Sequence, residues 1–402
     1  MRILHIISTL NPAAGGPSEG VRLLLSFERE GYVGEVVTFD DPNADYLNNL
    51  PFRVNAIGPV NSTYGFTPRL YPWLKQNRDR FDGFIVNGLW QYCGLACMLA
   101  LRGRAPYMVF THGMLDPYFK RAFPLKHIKK LLYWYPFEFW VLKNAYRVLF
   151  TTETERVLAA KSFALWSWKP HVVPYGIKAP EGAPGHDIEA FYKAVPALRD
   201  QRFLIFLGRI HHKKGCDLLI KAFSQVAATD PALHLLMAGP DQDGWIPELN
   251  RIAVESGCAD RIHWSGILRD APKWGAFRAS EAFILPSHQE NFGIAVAEAL
   301  SCGRPVLLSD QVNIGGMLEG QGCSLIEPDT LEGTRRLLEQ WIAMPVSERQ
   351  TMVENAGNAF RSRFDMRENA QTIIRLFETA LNTAFDRRNR SRSKAGPRWN
   401  RT

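Results

Sequence analysis

Cysteine is scarce in this chain. It supplies six of 402 residues, and none of these forms a Cys-x-x-Cys pair or a Cys/His array with the spacing of a zinc site. This usage is typical of a reduced cytosolic interior, so we assign neither a disulfide nor a structural metal. Long apolar runs are also missing, since even Leu131 to Leu142 contains Pro136 and Glu138. A membrane-spanning helix needs about 20 apolar residues, so we expect a cytoplasmic chain that is soluble or attached only to a surface.

Length and charge limit the number of domains and the kinds of partner that we expect. A chain of 402 residues with 46% hydrophobic content exceeds what one core usually organises, which predicts two domains. The formal net charge of +8 favours anionic partners: nucleotide phosphates, nucleic acid or an anionic membrane face. We expect no specific nucleic-acid binding, because only the net charge and a basic tail support it.

The first half alternates short apolar strands with helical or irregular stretches, which predicts a parallel α/β sheet. Ile3–Ser8 begins the series, and a helical pattern follows from Pro17 to Glu30, closed by Gly31. The other predicted strands of this half are Gly34–Phe39, Gly83–Val86, Tyr107–Thr111 and Tyr146–Phe150. We place the first domain at residues 1–178.

A Pro- and Gly-rich linker, Ala179–Gly185, separates this half from a second βα series at residues 186–364. Its predicted strands are Phe203–Leu207, His234–Ala238, Ile262–Trp264, Ala282–Leu285 and Pro305–Leu308, with helices beginning near Gly215, Trp245, Lys273, Gly293 and Thr330. The apolar spacing then predicts an amphipathic helix at about 367–385, which we assign to the first domain. Residues 386–402 are basic and are interpreted as a disordered tail.

Two glutamates follow a strand that ends at Leu285. A helix-compatible run starts near Gly293, and glycine at a helix start lets a ligand approach free backbone N–H groups, where the helix dipole favours anions. Glu290 precedes that helix and Glu298 lies inside it, so both carboxylates can face the region beyond the strand ends. Taken alone, two such glutamates more often cap or solvate a helix.

A second strand-loop-helix passage is strongly cationic. Gly208 ends the strand, and the loop carries Arg209, whose planar fork suits phosphate oxygens, and Lys214, a compact ammonium. Lysines in such a loop can also be a solvated loop charge.

These passages together resemble glycosyltransferase family four. The resemblance rests on Glu-x7-Glu at Glu290–Glu298, Gly-Arg-x4-Lys-Gly at Gly208–Gly215 and Thr-His-Gly at Thr111–Gly113. This large retaining family includes bacterial exopolysaccharide and O-antigen glycosyltransferases. It implies the GT-B fold, with two Rossmann-like α/β domains facing a central crevice, a UDP- or GDP-sugar as donor substrate and no cofactor.

The resemblance also implies roles for individual residues. The implied catalytic residues are His112, Arg209, Lys214 and Glu290. The implied donor-binding residues are Gly15, Gly16, Arg209, Lys214, Ile267, Glu290, Asn291, Phe292, Gly293, Ile294 and Glu298. In this scheme Arg209 and Lys214 neutralise the diphosphate, Glu290 and the four amides that follow it hold the sugar, Glu298 holds the ribose and Ile267 lies against the base.

Asp241-Gln242-Asp243 forms an Asp-x-Asp triplet, through which a different glycosyltransferase architecture binds a divalent metal. Here the triplet follows Gly239-Pro240 at a strand end, where family-four members often carry a Gly-Pro-Asp loop. We therefore interpret it as a loop and predict no metal site.

The segment 117–143 mixes basic and aromatic residues. Lys126, Lys129, Lys130 and Trp134 belong to it, together with Lys120, Arg121 and eight further aromatic residues, among them Phe119 and Phe123. Such a mixture suits the headgroup layer of an anionic membrane, and these four residues would then contact the membrane or a lipid-linked acceptor. A buried aromatic helix pair with a solvated basic edge explains the pattern equally well.

The expected function is retaining, metal-independent transfer of a hexose-type sugar to a glycan or polyprenyl-linked glycan acceptor in surface polysaccharide synthesis. The enzyme would work in the cytoplasm, on the inner face of the cytoplasmic membrane if the segment 117–143 binds there. The alternative is a nucleotide-sugar epimerase, or another nucleotide-sugar-binding enzyme of the same fold that does not transfer to an acceptor.

Overall fold

The computed structural model describes residues 1–26, 31–118, 120 and 124–394. It divides into two compact units. The first unit comprises Met1–Thr151, Glu155–Gly176 and Met366–Thr402, and the second comprises Thr152–Thr154 and Ile177–Asp365. The chain therefore passes to the second unit at Gly176–Ile177 and returns to the first at Asp365–Met366.

The first unit is built on a seven-stranded sheet of order β3-β2-β1-β4-β5-β6-β7. Every pairing is parallel, and β1 lies between β2 and β4. The strands are β1 Arg2–Ile7, β2 Val33–Thr38, β3 Arg53–Ala56, β4 Gly83–Asn87, β5 Tyr107–Phe110, β6 Arg147–Phe150 and β7 Pro170–Val172. The helices that follow them are α1 Gly16–Leu25, α2 Leu70–Asn77, α3 Tyr92–Leu101, α4 Pro124–Tyr133, α5 Phe139–Asn144 and α6 Glu153–Ala159.

The second unit repeats this plan with a six-stranded parallel sheet of order β10-β9-β8-β11-β12-β13. Its strands are β8 Arg202–Leu207, β9 Leu233–Ala238, β10 Ile262–Gly266, β11 Phe283–Leu285, β12 Val306–Ser309 and β13 Ser324–Glu327. Its helices are α7 Pro184–Ala194, α8 Cys216–Val226, α9 Ile246–Glu255, α10 Asp270–Ala279, α11 Ile294–Ser301, α12 Gly315–Leu318, α13 Leu331–Ala343 and α14 Val346–Arg363.

The last helix, α15 Met366–Lys394, belongs to the first unit. Phe377 on this helix lies so close to Gly83 that a Cβ there would stand 2.3 Å from the ring, which accounts for the glycine at the start of β4. The helix runs past the predicted end near residue 385 to Lys394, into the segment 386–402, for which disorder stays a prediction. Arginine favours helix, and neither Gly nor Pro occurs between Met366 and Gly396. Residues 395–402 lie outside the described residues.

The predicted central strands agree with the observed ones to within one or two residues. Their side chains are buried on both faces, as covered parallel sheets require, so they form recognisable apolar runs. Three strands had no such signal: β3, β7 and β13 lie at sheet edges and are mostly half-buried or exposed. One expected feature differs, since Pro184 and Gly185 of the predicted linker begin α7. The last residues of the helix predicted from Pro17 to Glu30, Phe27 to Glu30, lie outside the described residues.

Candidate functional site

The loops predicted to bind phosphate emerge side by side in the second unit. β8 and β11 are neighbours at the centre of its sheet, although β9 and β10 lie between them in the chain. Open α/β sheets bind ligands beyond the carboxyl ends of their strands at such a reversal of strand order. The loops that follow these two strands are residues 208–215 and 286–293.

Backbone contacts fix one loop against the other. A Cβ at Gly215, which has φ of +66°, would stand 2.1 Å from the Pro286 carbonyl oxygen, so only glycine fits. The Lys213 carbonyl accepts the His288 N–H at 2.9 Å and the Ser287 hydroxyl at 2.8 Å. Lys214 therefore leaves the first loop directly beside the second.

The backbone of Glu290 is hydrogen-bonded to residues 311 and 313. Its N–H donates to the Gln311 carbonyl at 3.0 Å, and its carbonyl accepts the Asn313 N–H at 3.0 Å. Gly293 adopts φ of +78°, and α11 begins at the next residue, Ile294. The carboxylate thus lies close to the start of a helix, as the sequence predicted.

The Lys214 ammonium and the Glu290 carboxylate form an ion pair, with side chains only 14% and 20% exposed. Burial by itself raises the pKa of the Glu290 carboxyl. The Lys214 charge and hydrogen bond, the Lys213 charge and the Asn291 backbone N–H outweigh that effect, so the pKa is lowered. Glu290 is therefore ionised at neutral pH, and the Asn291 amide donates to this carboxylate rather than standing free.

Glu298, on the second turn of α11, is almost fully buried. It accepts a hydrogen bond from Lys273 Nζ at 2.7 Å, and the same ammonium lies 4.2 Å from the Trp274 ring. The sequence did not indicate Lys273 as a site residue, because nothing in its local pattern brings it to Glu298, 25 residues further on.

Arg209 and Ile267 occupy more open positions. The Arg209 side chain is exposed, and its Nη1 donates to Gln242 Oε1 at 3.4 Å. Ile267 is 54% exposed and follows Gly266, whose carbonyl accepts the Gly239 N–H at 2.8 Å. Both side chains are accessible to a ligand.

Asp241 caps a helix instead of pointing into open space. Its two carboxylate oxygens accept the backbone N–H groups of Trp245 at 2.8 Å and Ile246 at 3.0 Å, at the start of α9. Asp243 lies 3.5 Å from a ring nitrogen of His211. Within the described part of the chain, no group of three or more His, Cys, Asp and Glu residues is arranged to hold a metal ion.

In the first unit, Gly15 follows β1 and directly precedes α1, and Gly16 is the first residue of that helix. Gly15 adopts φ of +92°, and a Cβ on either glycine would meet no atom within 4 Å, so both border open space. Asp40, which the sequence reasoning missed, holds the preceding loop by accepting from the Thr9 hydroxyl at 2.5 Å and the Leu10 N–H at 2.7 Å.

His112 follows β5 with φ of +50°. Its Nε2 lies 3.3 Å from Asn87 Oδ1, and its Nδ1 is hydrogen-bonded to the Tyr175 hydroxyl. The Asn87 amide nitrogen faces other acceptors, so the Asn87 amide oxygen faces His112. His112 Nε2 must therefore carry the proton that is donated to this oxygen. The unprotonated Nδ1 then accepts a hydrogen bond from the Tyr175 hydroxyl. Burial, with a smaller contribution from His5, lowers the pKa of His112 to about 3, so the ring is neutral at physiological pH.

A buried carboxylate that the sequence did not reveal fixes the turn around His112. Glu155 Oε1 accepts the Thr111 hydroxyl at 2.5 Å and the Gly113 N–H at 2.6 Å. Its Oε2 accepts the N–H and the hydroxyl of Thr151, both at 2.7 Å. The contacts with Thr111 and Gly113 span 44 and 42 residues of chain, so no local motif indicated them.

The basic and aromatic segment divides between core and surface. Trp134 is fully buried, with its ring 4.4 Å from that of Phe163, so it is wrong as a membrane or acceptor contact. A π-helix at Trp134–Glu138 shifts the register of side chains and turns this indole inward. Instead, large apolar side chains of α4 are exposed: Leu125 by 77%, Ile128 by 55% and Leu132 by 75%. Phe119, Arg121 and Phe123 lie outside the described residues.

The lysines of this segment differ in the same way. Lys126 and Lys129 are exposed, whereas Lys130 is half-buried, with its Nζ 4.8 Å from the Trp90 ring. Glu138, buried below them, accepts the Trp90 N–H at 3.1 Å, and burial raises its pKa to about 8. None of the helices described is long and apolar enough to cross a membrane.

Two family models match the chain. The model for "Glycosyl transferases group 1" matches residues 187–359, and that for "Glycosyl transferase 4-like domain" matches residues 15–176. Together they cover residues 15–359 except 177–186. Their boundary falls where the chain passes between the two units.

Curated relatives agree with these matches. A D-inositol 3-phosphate glycosyltransferase of Segniliparus rotundus is 27% identical over 239 residues, which is 58% of this chain and 52% of that protein. The chain thus spans about half of this relative and less than half of the next ones it matches. The GDP-mannose:cellobiosyl-diphosphopolyprenol alpha-mannosyltransferase of Xanthomonas campestris is 24% identical over 400 residues, covering 95% of this chain and 98% of the relative.

Among solved structures, Anabaena HepE in complex with UDP and glucose has a TM-score of 0.74 at 18% identity, covering 94% of this chain and 100% of that one. At that identity the likeness concerns the fold. Two Rossmann-like units, each built on a parallel sheet, are the GT-B fold. Within that class, the chain belongs to the family-four glycosyltransferases, through its group 1 and 4-like domains.

Proposed function

We propose that this enzyme is a retaining, metal-independent glycosyltransferase. It would move a hexose-type sugar from a UDP- or GDP-sugar to a glycan or lipid-linked glycan in surface polysaccharide synthesis. The observation that carries the proposal is the Lys214–Glu290 ion pair beside the start of α11. A cation for phosphate and a carboxylate for hydroxyls stand together, next to backbone N–H groups that favour an anion.

When the donor binds, its diphosphate would contact one residue of this ion pair and its sugar would contact the other. Lys214, joined by the exposed Arg209, would bind the diphosphate, while Glu290 would accept hydrogen bonds from sugar hydroxyls. Glu298, already oriented by Lys273, would accept hydrogen bonds from the ribose. Before the donor binds, the Lys214–Glu290 ion pair keeps both charged groups in the positions that they need for donor binding.

Retention follows from a front-side displacement. The bond between the anomeric carbon and the diphosphate oxygen breaks, and its electron pair stays on the leaving diphosphate. The acceptor hydroxyl forms the new bond from the same face and passes its proton to that leaving phosphate. Lys214 and Arg209 stabilise the charge that develops there, so no enzyme nucleophile is required below the sugar. The neutral His112 ring serves as a positioning group for the donor sugar.

Features of the first unit support a lipid-linked acceptor. The exposed apolar stripe of α4, Leu125, Ile128 and Leu132, lies beside the exposed Lys129, a combination that suits an anionic membrane surface. The name of the Xanthomonas campestris relative specifies a cellobiosyl-diphosphopolyprenol acceptor. We propose that the enzyme works on the inner face of the cytoplasmic membrane through this stripe.

A panel of UDP- and GDP-sugars tests donor use. We expect one base to raise the melting temperature of the wild-type protein and its sugar to be turned over with release of the nucleoside diphosphate. Glu298→Gln should weaken binding of the free nucleotide, whereas Glu290→Gln should weaken binding of the nucleotide sugar more than that of the nucleotide. Donor conversion into an epimer, with no transfer to any acceptor, would favour the epimerase alternative.

A chelator tests metal independence. Both carboxylate oxygens of Asp241 accept hydrogen bonds that cap α9. Lys214 and Arg209 provide positive charge for the diphosphate. We expect turnover to survive treatment with EDTA. Activity that is abolished by EDTA and restored by manganese would contradict this part of the proposal.

A further inference from the structure

We propose that a cationic pocket in the first unit, lined by Asp116, Lys120, Lys126, His127, Lys130 and Ser162, binds the diphosphate group of the acceptor lipid. We call it the lysine pocket. The inference rests on the proposed transfer to a lipid-linked acceptor, and it adds a binding site for one chemical group of that acceptor. This pocket lies in a different unit from the Lys214–Glu290 pair.

The charges of the lysine pocket match a diphosphate diester. Three ammonium groups and one carboxylate line it, which leaves an excess of two positive charges. A diphosphate that joins a lipid to a glycan carries two negative charges. Glu138, a buried carboxyl whose charge acts on Lys130, is mostly protonated at neutral pH, because burial raises its pKa to about 8.

Two basic groups that line the lysine pocket have lowered pKa values. Burial lowers the pKa of Lys130, and the smaller effect of the Lys126 charge in the same direction is outweighed by the Glu138 charge, which raises it. Burial, Lys120 and Lys130 lower the pKa of His127. An anion in the lysine pocket would favour the charged forms of both groups, so its binding is supported by more than a single contact.

The floor of the lysine pocket is buried and aromatic. Phe163 lines the pocket and stacks on the buried Trp134 at 4.4 Å, and its ring centre lies 5.0 Å from that of His127. The Ser162 hydroxyl is hydrogen-bonded to the Leu115 carbonyl, which fixes its oxygen. Trp134 thus acts through the floor and not as a surface contact.

The geometry of α4 separates two roles that the sequence had combined. Lys126 and Lys130, four residues apart, share one face and line the pocket. Leu125, Ile128 and Leu132 share another face and are exposed. Lys129 lies next to this apolar face and does not line the pocket. One face of α4 therefore suits a lipid surface and the other a phosphate group.

Binding of inorganic pyrophosphate to the full chain tests the pocket directly. The measurement is calorimetric and uses a Lys214→Gln background, so that the cationic loop of the second unit contributes less. We expect Lys126→Gln/Lys130→Gln to weaken binding at least about tenfold through the loss of two charge-assisted contacts. Lys126→Arg/Lys130→Arg should retain most of the affinity, and Lys129→Gln, which removes the same charge from another face, should bind like the background protein. Equal binding by all variants, or none by the background protein, would overturn the proposal.

Vesicle flotation identifies the source of the phosphate. Phosphatidylcholine vesicles are compared with ones that also contain phosphatidylglycerol or a polyprenyl diphosphate. We expect the Lys126/Lys130 double variant to lose the additional binding that polyprenyl diphosphate gives, and Lys129→Gln to lose binding to phosphatidylglycerol. A double variant that loses phosphatidylglycerol binding to the same extent would assign the pocket to lipid headgroups in general and overturn the diphosphate assignment.

Activity separates this inference from the proposed function. With a polyprenyl diphosphate-linked acceptor, the double variant should raise the acceptor KM about tenfold and change kcat less. Unchanged acceptor KM in an enzyme that transfers sugar would reject the pocket and leave the proposed function standing. If the wild-type protein neither hydrolyses nor transfers any donor, the proposed function fails, while pyrophosphate binding still reports on the pocket.

Discussion

Replacing Lys214 by methionine should change turnover and stability together, in a pH-dependent way. The ion pair with Glu290 is mostly shielded from solvent, since its side chains are 14% and 20% exposed. Loss of a preorganised group at a leaving oxyanion typically costs about 10²–10³ in kcat. Loss of one partner from a buried pair costs about 3–5 kcal/mol, and partial exposure reduces the expectation here to about 2 kcal/mol.

The pH dependence has a defined sign. In the wild-type protein the pKa of Glu290 is lowered, so the pair stabilises the fold above the unfolded pKa of about 4.3, and this contribution is lost as pH falls through the folded pKa. Without Lys214, burial dominates and raises the pKa of Glu290. The variant then carries a penalty at neutral pH that is relieved as pH falls, so its difference in melting temperature from wild type should shrink toward about pH 5.

Thermal unfolding between about pH 5 and pH 8, with initial rates of nucleoside diphosphate release, measures both effects. The double variant Lys214→Met/Glu290→Gln should recover most of the stability and none of the activity. Lys221→Met removes an exposed charge that pairs with Asp217 elsewhere in the same unit, and it provides a charge-matched control. A Lys214→Met protein with wild-type turnover and a pH-independent stability difference would contradict the roles given to Lys214 at the diphosphate and in the ion pair with Glu290.

Three further substitutions test other parts of the structure. Trp134→Ala should lower the free energy of unfolding by about 3–5 kcal/mol, because it empties a fully buried site, whereas Leu132→Ala should change it by less than about 0.5 kcal/mol and weaken vesicle binding. Equal losses in denaturant unfolding would contradict the assigned burial. Because the pKa of Glu138 is raised to about 8, the folded protein retains a proton that the unfolded chain releases, so stability should fall as pH rises from about 5 to about 8. Glu138→Gln should flatten that slope and stabilise the protein at neutral pH, and a slope that persists in chemical denaturation would locate its cause elsewhere. Asp241→Ala should cost about 0.5–2 kcal/mol through the lost cap of α9. Wild-type stability in that variant would show that the cap is not formed.

The sequence predicts the central strands of each described sheet well and misses three of the four edge strands. Strands such as β1 and β8 are buried on both faces and therefore form uninterrupted apolar runs. The edge strands β3, β7 and β13 have no such run, because they are partly exposed and carry polar residues. The fourth edge strand, β10, was predicted at Ile262–Trp264 and is observed at Ile262–Gly266.

At the site, local motifs identified Lys214 and Glu290 but not the residues that orient their neighbours. Lys273 and Glu155 act across the fold, on Glu298 and on the turn around His112, and neither has a distinctive local sequence. Likewise, no periodicity distinguishes the buried Trp134 from the exposed Leu132, because the π-helix that begins at Trp134 changes the number of residues per turn.

The anomeric configuration of the product distinguishes retaining transfer from every alternative. The wild-type enzyme is incubated with the nucleotide sugar that it binds and with a polyprenyl diphosphate-linked glycan, and the new linkage is assigned by NMR couplings. We expect release of a nucleoside diphosphate and a glycosidic bond with the same anomeric configuration as the donor. A product of inverted configuration, or a donor that remains intact with every acceptor, would contradict this expectation.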